Sequence, residues 1–449
     1  MASAAEQLAA NFNFAALGKA TELKKRIWFT LGVLVVYRLG TYIPLPGVDA
    51  RVLAEVFAQQ QGGILGMFDM FSGGALGRMS IFALNIMPYI SASIIMQLMM
   101  AMSPKLGQLK KEGDAGRKKI NQYTRYGTVI LAALQGYGIA TFLEGMQLSN
   151  GELAVTDPGW FFRATIVVTI IGGTMFLMWL GEQITARGIG NGISLIIFAG
   201  IVAEFPTSVA ALLEMGYTNE ISPLIVVLML VLAVVVVAFI VFMERAQRRL
   251  IVQYPKRQVG QKMFGGERSH LPLKLNTSGV IPAIFASSIL LLPTTMLTFG
   301  GGDAQGGFLG DLAIYLGHGQ PIYLVLYAAL IVFFCFFYTA IVFNPEETAE
   351  NLRRYGGYIP GYKPGKNTAR YLDYVLTRLT VIGAAYLTVV CLLPEILIAQ
   401  YGVPFQFGGT SLLIVVVVSL DTVGQIHSHL LAHQYEGLVK KSRLRGRRG

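Results

Sequence analysis

Long hydrophobic segments separated by shorter polar stretches make up most of this sequence. A helix of about 20 apolar residues can cross the hydrocarbon core of a bilayer, which is about 30 Å thick. The pattern therefore predicts an all-α polytopic membrane protein with about ten transmembrane helices. The predicted spans are 27–43, 79–102, 124–143, 160–180, 189–213, 221–243, 275–299, 321–343, 371–393 and 407–429.

One short hydrophobic segment, 64–71, lies shortly before the second span. As a helix it would be only about 12 Å long, which is too short to cross a bilayer. Glycines on both sides give the backbone unusual freedom, so we expect the segment to move as a unit. In the span that follows, Pro88 is expected to kink the helix because proline removes one backbone hydrogen bond.

The two halves of the chain contain related stretches, IMPYISASII at 86–95 and VIPAIFASSI at 280–289. Each lies in the second of five predicted spans, and Pro88 corresponds to Pro282. Five spans bring the second half into the membrane from the opposite side, so the repeat must be inverted. The sequence thus predicts two inverted five-helix halves around a central pore, with the two proline-containing helices lining it.

Composition and charge add an orientation to this architecture. Of the 449 residues, 54% are hydrophobic and 14% charged, whereas about a quarter are charged in a soluble domain. Most of the 36 lysines and arginines fall on one side of the predicted membrane, and the positive-inside rule then places both termini in the cytoplasm. The predicted organisation is a cytoplasmic N-terminal segment 1–26, an N-terminal half 27–213, a C-terminal half 214–434 with long cytoplasmic loops 244–274 and 344–370, and a basic tail 435–449.

The long basic loops have two interpretations. They are the expected place for a docked partner, or they only set the topology and contact anionic lipid.

Few side chains in the predicted spans have the chemistry of an active site. Ionisable residues are almost absent from the middle of the spans, which disfavours the main alternative function, a secondary transporter of a small solute. Arg38 lies near the end of its span and is expected to reach the membrane surface, with a functional role as the less favoured alternative. His427 and His429 cannot share a helix face, and the glycine run 188–192 lacks the lysine of a nucleotide-binding loop. No catalytic residue, cofactor or metal is predicted.

Two isoleucine pairs, Ile86 with Ile90 and Ile193 with Ile197, have the four-residue spacing that places both side chains on one helix face. Facing inward, they would form a hydrophobic constriction that blocks ions and water by dewetting. Facing outward, they would contact lipid or pack between helices, which is the more common role of isoleucine in membrane helices. The spacing alone leaves both interpretations open.

Several long segments resemble the SecY family, the channel subunits of the bacterial protein-secretion translocon. The similar segments are FSGGALGRMSIFALNIMPYISASIIMQL, MFLMWLGEQITARGIGNGIS, GVIPAIFASS, FCFFYTAIVFNPEETAENL and QFGGTSLLIVVVV. The resemblance implies a channel in the inner membrane that passes unfolded signal-bearing polypeptides and releases transmembrane helices sideways into lipid. It also implies SecE and SecG as partner subunits, the SecA motor ATPase or the ribosome as the source of energy, and contacts with signal peptides, nascent chains and membrane lipids. The subunit itself would catalyse no reaction.

The resemblance assigns roles to residues that match the motifs of the family. The implied pore ring consists of Ile86, Ile90, Ile193, Ile197, Ile284 and Ile414. The implied plug, which seals the resting channel, consists of Gly63, Ile64, Leu65, Gly66, Met67, Phe68, Asp69, Met70, Phe71, Ser72, Gly73 and Gly74. A lateral gate to lipid is implied between spans two and three and spans seven and eight, and its residues are Pro88, Ser91, Gln97, Asn276 and Pro282. The polar gate residues Ser91, Gln97 and Asn276 would either hydrogen-bond across the closed gate or pack in the interior.

The same resemblance implies that the basic loops dock the ribosome or SecA. The implied docking residues are Arg248, Arg249, Lys256, Arg257, Lys262, Arg353, Arg354 and Lys363. Two positions depart from the family pattern: Lys363 stands in GYKPG where arginine is usual, and Gln261 with Lys262 replaces a basic pair. Lysine keeps the charge but lacks the bidentate fork of arginine. The first substitution therefore weakens any contact that needs the fork and leaves general electrostatic attraction in place.

Overall fold

The computed structural model describes residues 20–49, 69, 72–146, 153–218, 222–254, 257–259, 262–264, 268–299, 320–401 and 409–445. Most of these residues are helical. In chain order, the helices are α1 (Thr21–Gly40), α2 (Met87–Met102), α3 (Pro104–Lys111), α4 (Asp114–Gly145), α5 (Trp160–Arg187), α6 (Gly192–Tyr217), α7 (Pro223–Arg245), α8 (Ile281–Phe299), α9 (Pro321–Val342), α10 (Pro345–Arg354), α11 (Lys366–Tyr401) and α12 (Gly409–Arg445).

Each of the ten predicted spans overlaps one of these helices, and among the described residues only α3 and α10 are additional. Within the described part of the chain, seven helices are long and apolar enough to cross a membrane, while α2 and the described part of α8 are shorter apolar helices. The predicted fold class, a mostly helical polytopic membrane protein, is confirmed.

The start of the second predicted span was wrong. Residues 73–86 form turns, and α2 begins only at Met87. Met79 and Asn85 have positive φ angles of 40° and 49°, which are incompatible with an α-helix. The predicted kink at Pro88 was also wrong: Pro88 lies in the first turn of α2, where a missing N–H costs nothing. Pro282 occupies the equivalent position in α8, so the two repeats share a helix start.

The loop between α7 and α8 contains strands that the sequence analysis did not predict. β1 (Gln247–Gln253) pairs antiparallel with β4 (Arg268–Lys274), and β2 (Arg257–Val259) pairs with β3 (Lys262–Phe264). Side chains on one face of the long hairpin are buried against α10 and α11. This satellite core contains Leu250, Val252, Leu273, Ala349, Ile359, Ala369, Leu372, Val375, Leu376 and Leu379. The hairpin is therefore a folded unit attached to α11.

Apart from the consecutive helices α6 and α7, the described helices of the two predicted halves contact each other mainly in two places. On one side, α8 from the second half packs against α2 and α4 from the first. On the other side, α12 packs against α6 and α1. A single hydrophobic core with residues from both halves lies between these two contacts. The candidate site lies within that core.

Candidate functional site

A narrow cavity lies where the two halves meet, and isoleucine side chains dominate its wall. Together with the adjoining space that is open to solvent, its volume is about 290 Å³. Five of the six isoleucines of the implied ring line it, contributed by the residue before α2 and by α2, α6, α8 and α12. They are Ile86, Ile90, Ile197, Ile284 and Ile414. The sequence prediction thus names five side chains that the fold brings to one place.

Ile193, the sixth predicted ring residue, does not line this cavity. It lies one turn before Ile197 on α6, and a methyl group added at Gly181 of α5 would be only 3.1 Å from its Cγ1 atom. Ile193 is therefore placed against α5, and its role in the ring stays a prediction.

Most of the ring side chains are inaccessible from outside. Ile86 and Ile414 are each 1% exposed, and Ile90 is 7% exposed. The wall also contains Asn85, Met87, Ser287 and Ser288. The Ser287 hydroxyl donates to the carbonyl oxygen of Ile284 at 2.9 Å, within its own helix. The constriction is therefore mainly apolar, with a few hydroxyl and amide groups at its edge.

The implied lateral gate separates α2 and α4 from α8 and α9, and of these helices α8 packs against both α2 and α4. Ser91 is buried at this position. Gln97 donates to the Ser93 hydroxyl at 3.3 Å within α2. Asn276, which precedes α8 rather than lying on it, donates to Glu244 Oε1 at 2.6 Å and to the Gly279 carbonyl at 3.0 Å. In each of these bonds the donor and the acceptor belong to the same half of the chain. The bonds of Gln97 and Asn276 therefore do not cross the seam between the halves.

The implied plug is partly described. Asp69, Ser72, Gly73 and Gly74 are placed, and the other eight predicted plug residues lie outside the described residues. Asp69 Oδ1 accepts a hydrogen bond from the Gly77 backbone N–H at 2.6 Å. The Ser72 hydroxyl accepts from two backbone N–H groups in the following turn, at 3.1 and 3.0 Å. Burial raises the pKa of the Asp69 carboxyl above its ordinary value.

Two arginines converge on the end of the plug, a contact that the sequence analysis missed. Arg38 Nη1 and Arg78 Nη2 donate to the Gly73 carbonyl at 2.6 and 2.8 Å. Both guanidinium groups also lie 3.9 Å from Oε1 of Glu204 on α6. Arg38 therefore makes specific contacts instead of only reaching the membrane surface. The sequence contained one signal for this contact. Glu204, whose charge is opposite to that of the arginines, lies inside the predicted span 189–213.

Five of the implied docking residues lie in the elements around the satellite core of the long loops. Arg248 and Arg249 are exposed on β1, and Lys363 is exposed in the loop before α11. Arg353 and Arg354 end α10, where each forms an ion pair with Glu350, at 3.6 and 3.7 Å. Arg257 and Lys262 belong to the paired strands β2 and β3, whereas Lys256 lies outside the described residues.

The two long loops are joined to each other. Gln253 and Tyr358 exchange backbone hydrogen bonds of 2.9 Å in both directions, and the Tyr358 hydroxyl donates to the Gln253 side chain at 3.0 Å. The predicted docking residues of both loops therefore belong to one structural unit.

Comparison with known proteins identifies a family. A sequence profile of the SecY family matches residues 80–423. The protein translocase subunit SecY of Rickettsia conorii is 57% identical over 424 residues, which are 94% of this chain and 97% of that protein. The subunit of the same name from Escherichia coli K12 is 54% identical over 431 residues, 96% of this chain and 97% of that protein.

Solved structures show the same fold. One described as the structure of a protein conducting channel has a TM-score of 0.59 at 18% identity, covering 90% of this chain and 92% of that chain. Sec61 in the canine ribosome–channel complex from the endoplasmic reticulum has a TM-score of 0.58 at 19% identity, with the same coverage. The profile covers well over half of the chain, and relatives more than half identical extend over nearly all of it, so the chain belongs to the SecY family.

Proposed function

We propose that this chain forms the protein-conducting channel of a membrane protein translocase. The observation that carries the proposal is the apolar cavity where five isoleucines from both halves meet. A signal peptide or nascent apolar helix opens the seam between the halves, the plug leaves, and the unfolded polypeptide passes through the isoleucine ring. The ring acts as a gasket because its side chains exclude water and ions yet change rotamer around a moving chain.

The lateral gate is the seam between α2 and α4 on one side and α8 and α9 on the other. Its opening would connect the cavity with lipid, so that a transmembrane helix leaves the channel sideways. The packing of α8 on α2 and α4 supports this location. It also supports a closed seam in the arrangement described here.

The channel lies in the inner membrane with both termini in the cytoplasm. The exposed basic residues of the joined loops support this orientation, since positive residues are retained on the cytoplasmic side. The chain itself catalyses nothing. The energy comes from the SecA ATPase or from the translating ribosome, which dock on the joined loops.

SecE and SecG complete the complex in this proposal. One structural neighbour is a channel bound to a canine ribosome, and this supports a ribosome as the second docking partner. Lys363 keeps the positive charge of its exposed loop, so charge attraction to an acidic or RNA surface is retained while bidentate recognition is lost.

Transit of a radiolabelled preprotein into vesicles that contain this chain with SecE, SecG, SecA and ATP tests the proposal. Protection of the preprotein from added protease is expected only with ATP and only with an intact signal peptide. The matched control is the same preprotein without its signal. An absence of ATP-dependent protection, with SecE bound and SecA hydrolysing ATP, would contradict the proposal.

A further inference from the structure

We infer that Arg38, Arg78 and Glu204 form a latch that positions the end of the plug in the closed channel. The latch consists of these three side chains and the carbonyl of Gly73. The inference rests on the proposed function, because it assigns a role to contacts at the C-terminal end of the implied plug, 63–74. The three residues are positioning residues that hold the seal in place and do not touch the transported chain.

Three separate elements supply the latch. Arg38 lies in the last turn of α1, Arg78 lies in the turns that follow the plug, and Glu204 lies within α6. The two arginines share a single acceptor, the Gly73 carbonyl, at 2.6 and 2.8 Å. A displacement of Gly73 therefore breaks two charge-assisted hydrogen bonds at once.

The charges explain why Glu204 belongs to the latch. Two guanidinium groups at one carbonyl oxygen repel each other unless an anion lies nearby. Glu204 Oε1 lies 3.9 Å from Nη2 of each arginine. The three side chains are partly buried, with 29%, 37% and 19% of Arg38, Arg78 and Glu204 exposed, so water screens this attraction only in part. Without the carboxylate, the two positive charges are left unbalanced and the arginines move apart.

The fit around the carbonyl is close, which gives the latch a defined position. A methyl group added at Gly73 would lie 2.8 Å from Cα of Gly200 on α6, and one added at Gly74 would lie 2.5 Å from Glu204 Oε1. The Tyr37 hydroxyl donates to the neighbouring carbonyl of Ser72 at 3.2 Å. The end of the plug thus lies directly against α1 and α6, the faces that it must leave when the channel opens.

Cysteine accessibility at Ala75 tests the latch directly. Ala75 follows the plug and is fully buried, and cysteine is only slightly larger than alanine. The experiment uses the complete complex in nanodiscs, with Ala75→Cys as the only thiol after Cys335 and Cys391 are replaced by alanine. We expect Glu204→Gln and Arg38→Gln to raise the rate of labelling by a charged maleimide roughly tenfold, which corresponds to about 1.4 kcal/mol.

Glu214→Gln is the matched control, since Glu214 is an exposed carboxylate on the same helix, and its labelling rate should equal that of the parent. Arg38→Lys keeps the positive charge but lacks the bidentate guanidinium group, so it should give an intermediate labelling rate. This variant tests the latch if Glu204→Gln does not assemble. A merely structural role would lower the melting temperature of the complex and leave the labelling rate unchanged. An unchanged rate in whichever of these latch variants assembles would overturn the inference.

Labelling reports on the latch whether or not the complex transports a preprotein. A complex with no ATP-dependent transit but with the expected labelling pattern would contradict the proposed function and support the contacts of the latch. A complex with normal transit but the same labelling rate in all variants would support the proposed function and contradict the latch.

Discussion

At the residue scale, isoleucine has the properties that a constriction needs when it must seal and also yield. Each side chain is bulky and apolar. Four of the isoleucines that line the cavity lie in α2, α6, α8 and α12, and the fifth immediately precedes α2. Water leaves a narrow apolar passage because it cannot keep its hydrogen bonds there. The proposed seal thus depends on several side chains that are far apart in the sequence.

Replacement of Ile86 and Ile90 by glycine should make the channel leak small ions. Both side chains line the cavity, and their removal widens the passage so that water can remain in it. The measurement is the current across a planar bilayer that contains the resting complex. We expect the double variant Ile86→Gly with Ile90→Gly to conduct more than wild type.

Ile95 and Met99 provide the matched control for this variant. They lie on α2 with the same four-residue spacing, but they are 42% and 47% exposed. Ile95→Gly with Met99→Gly places two glycines within α2, whereas the ring variant places one there and one just before the helix, so the control weakens α2 at least as much without widening the cavity. Currents of the ring variant no larger than those of this control would contradict the gasket role.

Asp69 gives a second residue-scale prediction, because burial raises its pKa in the closed arrangement. The closed position is then most stable when the carboxyl is protonated, and that stability is lost as the pH rises through the raised pKa. Asparagine resembles the protonated form and keeps an oxygen to accept from the Gly77 N–H. Asp69→Asn should therefore slow the labelling of Ala75→Cys at neutral pH compared with the parent.

The difference between Asp69→Asn and the parent should shrink as the pH falls below the raised pKa and disappear below the ordinary pKa of aspartate, where the parent carboxyl is protonated in both the closed and the displaced position. Arg78 and Glu204 also influence this carboxyl, and both remain in the asparagine variant, so their contribution cancels in the comparison. Asp69→Ala removes the acceptor for Gly77 and should speed labelling instead. Equal rates for Asn and Asp at neutral pH would show that the charge of Asp69 does not destabilise the closed position.

At the scale of elements, hydrophobic patterning predicted each long helix of the described residues but not where each begins. An apolar window cannot distinguish a helix from buried turns, and residues 79–86 are mostly apolar and mostly buried without being helical. The strands of the loop after α7 were not predicted because they are short. β1 and β4 have seven residues each and β2 and β3 have three each, which is too short for a window of membrane-span length to detect.

The loop 188–192 between α5 and α6 shows what the glycine run does. Gly190 has a φ angle of +86°, which favours glycine, and its N–H donates to the Gln425 side chain of α12 at 2.8 Å. The neighbouring N–H of Ile189 donates to the Thr30 hydroxyl of α1 at 3.1 Å. The glycine run therefore attaches the turn between α5 and α6 to α1 of the first half and to α12 of the second half. This is a structural role, different from the nucleotide-binding role that the sequence disfavoured.

Thr30→Val should destabilise this connection by about 1–3 kcal/mol, the cost of a buried N–H left without an acceptor. Valine matches threonine in shape, and Thr30 is buried, so the change removes the hydroxyl and little else. The measurement is thermal or denaturant unfolding of the purified complex. Thr30→Ser keeps the hydroxyl and should recover most of the loss, whereas equal losses for Val and Ser would assign the effect to packing.

At the scale of the whole molecule, the family resemblance added what periodicity could not. The Ile86 and Ile90 spacing left an inward and an outward orientation open, and the resemblance to the SecY family, now confirmed, favoured the inward one. The latch had no such guide: Arg38 and Glu204 are distant in the sequence, and only the folded chain shows that Gly73 lies between them. Pairing across spans is a property of three-dimensional packing that no local pattern contains.

The cavity lies between two halves, so a wider passage requires them to separate. Ile90 belongs to the first half and Ile284 to the second, and both line the cavity. We predict that a short, cleavable thiol crosslinker between Ile90→Cys and Ile284→Cys abolishes preprotein transit and that reduction restores it, with Cys335 and Cys391 replaced.

The control pair Ile284→Cys with Ser288→Cys lies on α8 alone. Its crosslink adds similar bulk to the cavity without joining the halves, so transit should persist. Transit through a fully crosslinked Ile90–Ile284 pair would mean that the polypeptide does not pass between the halves.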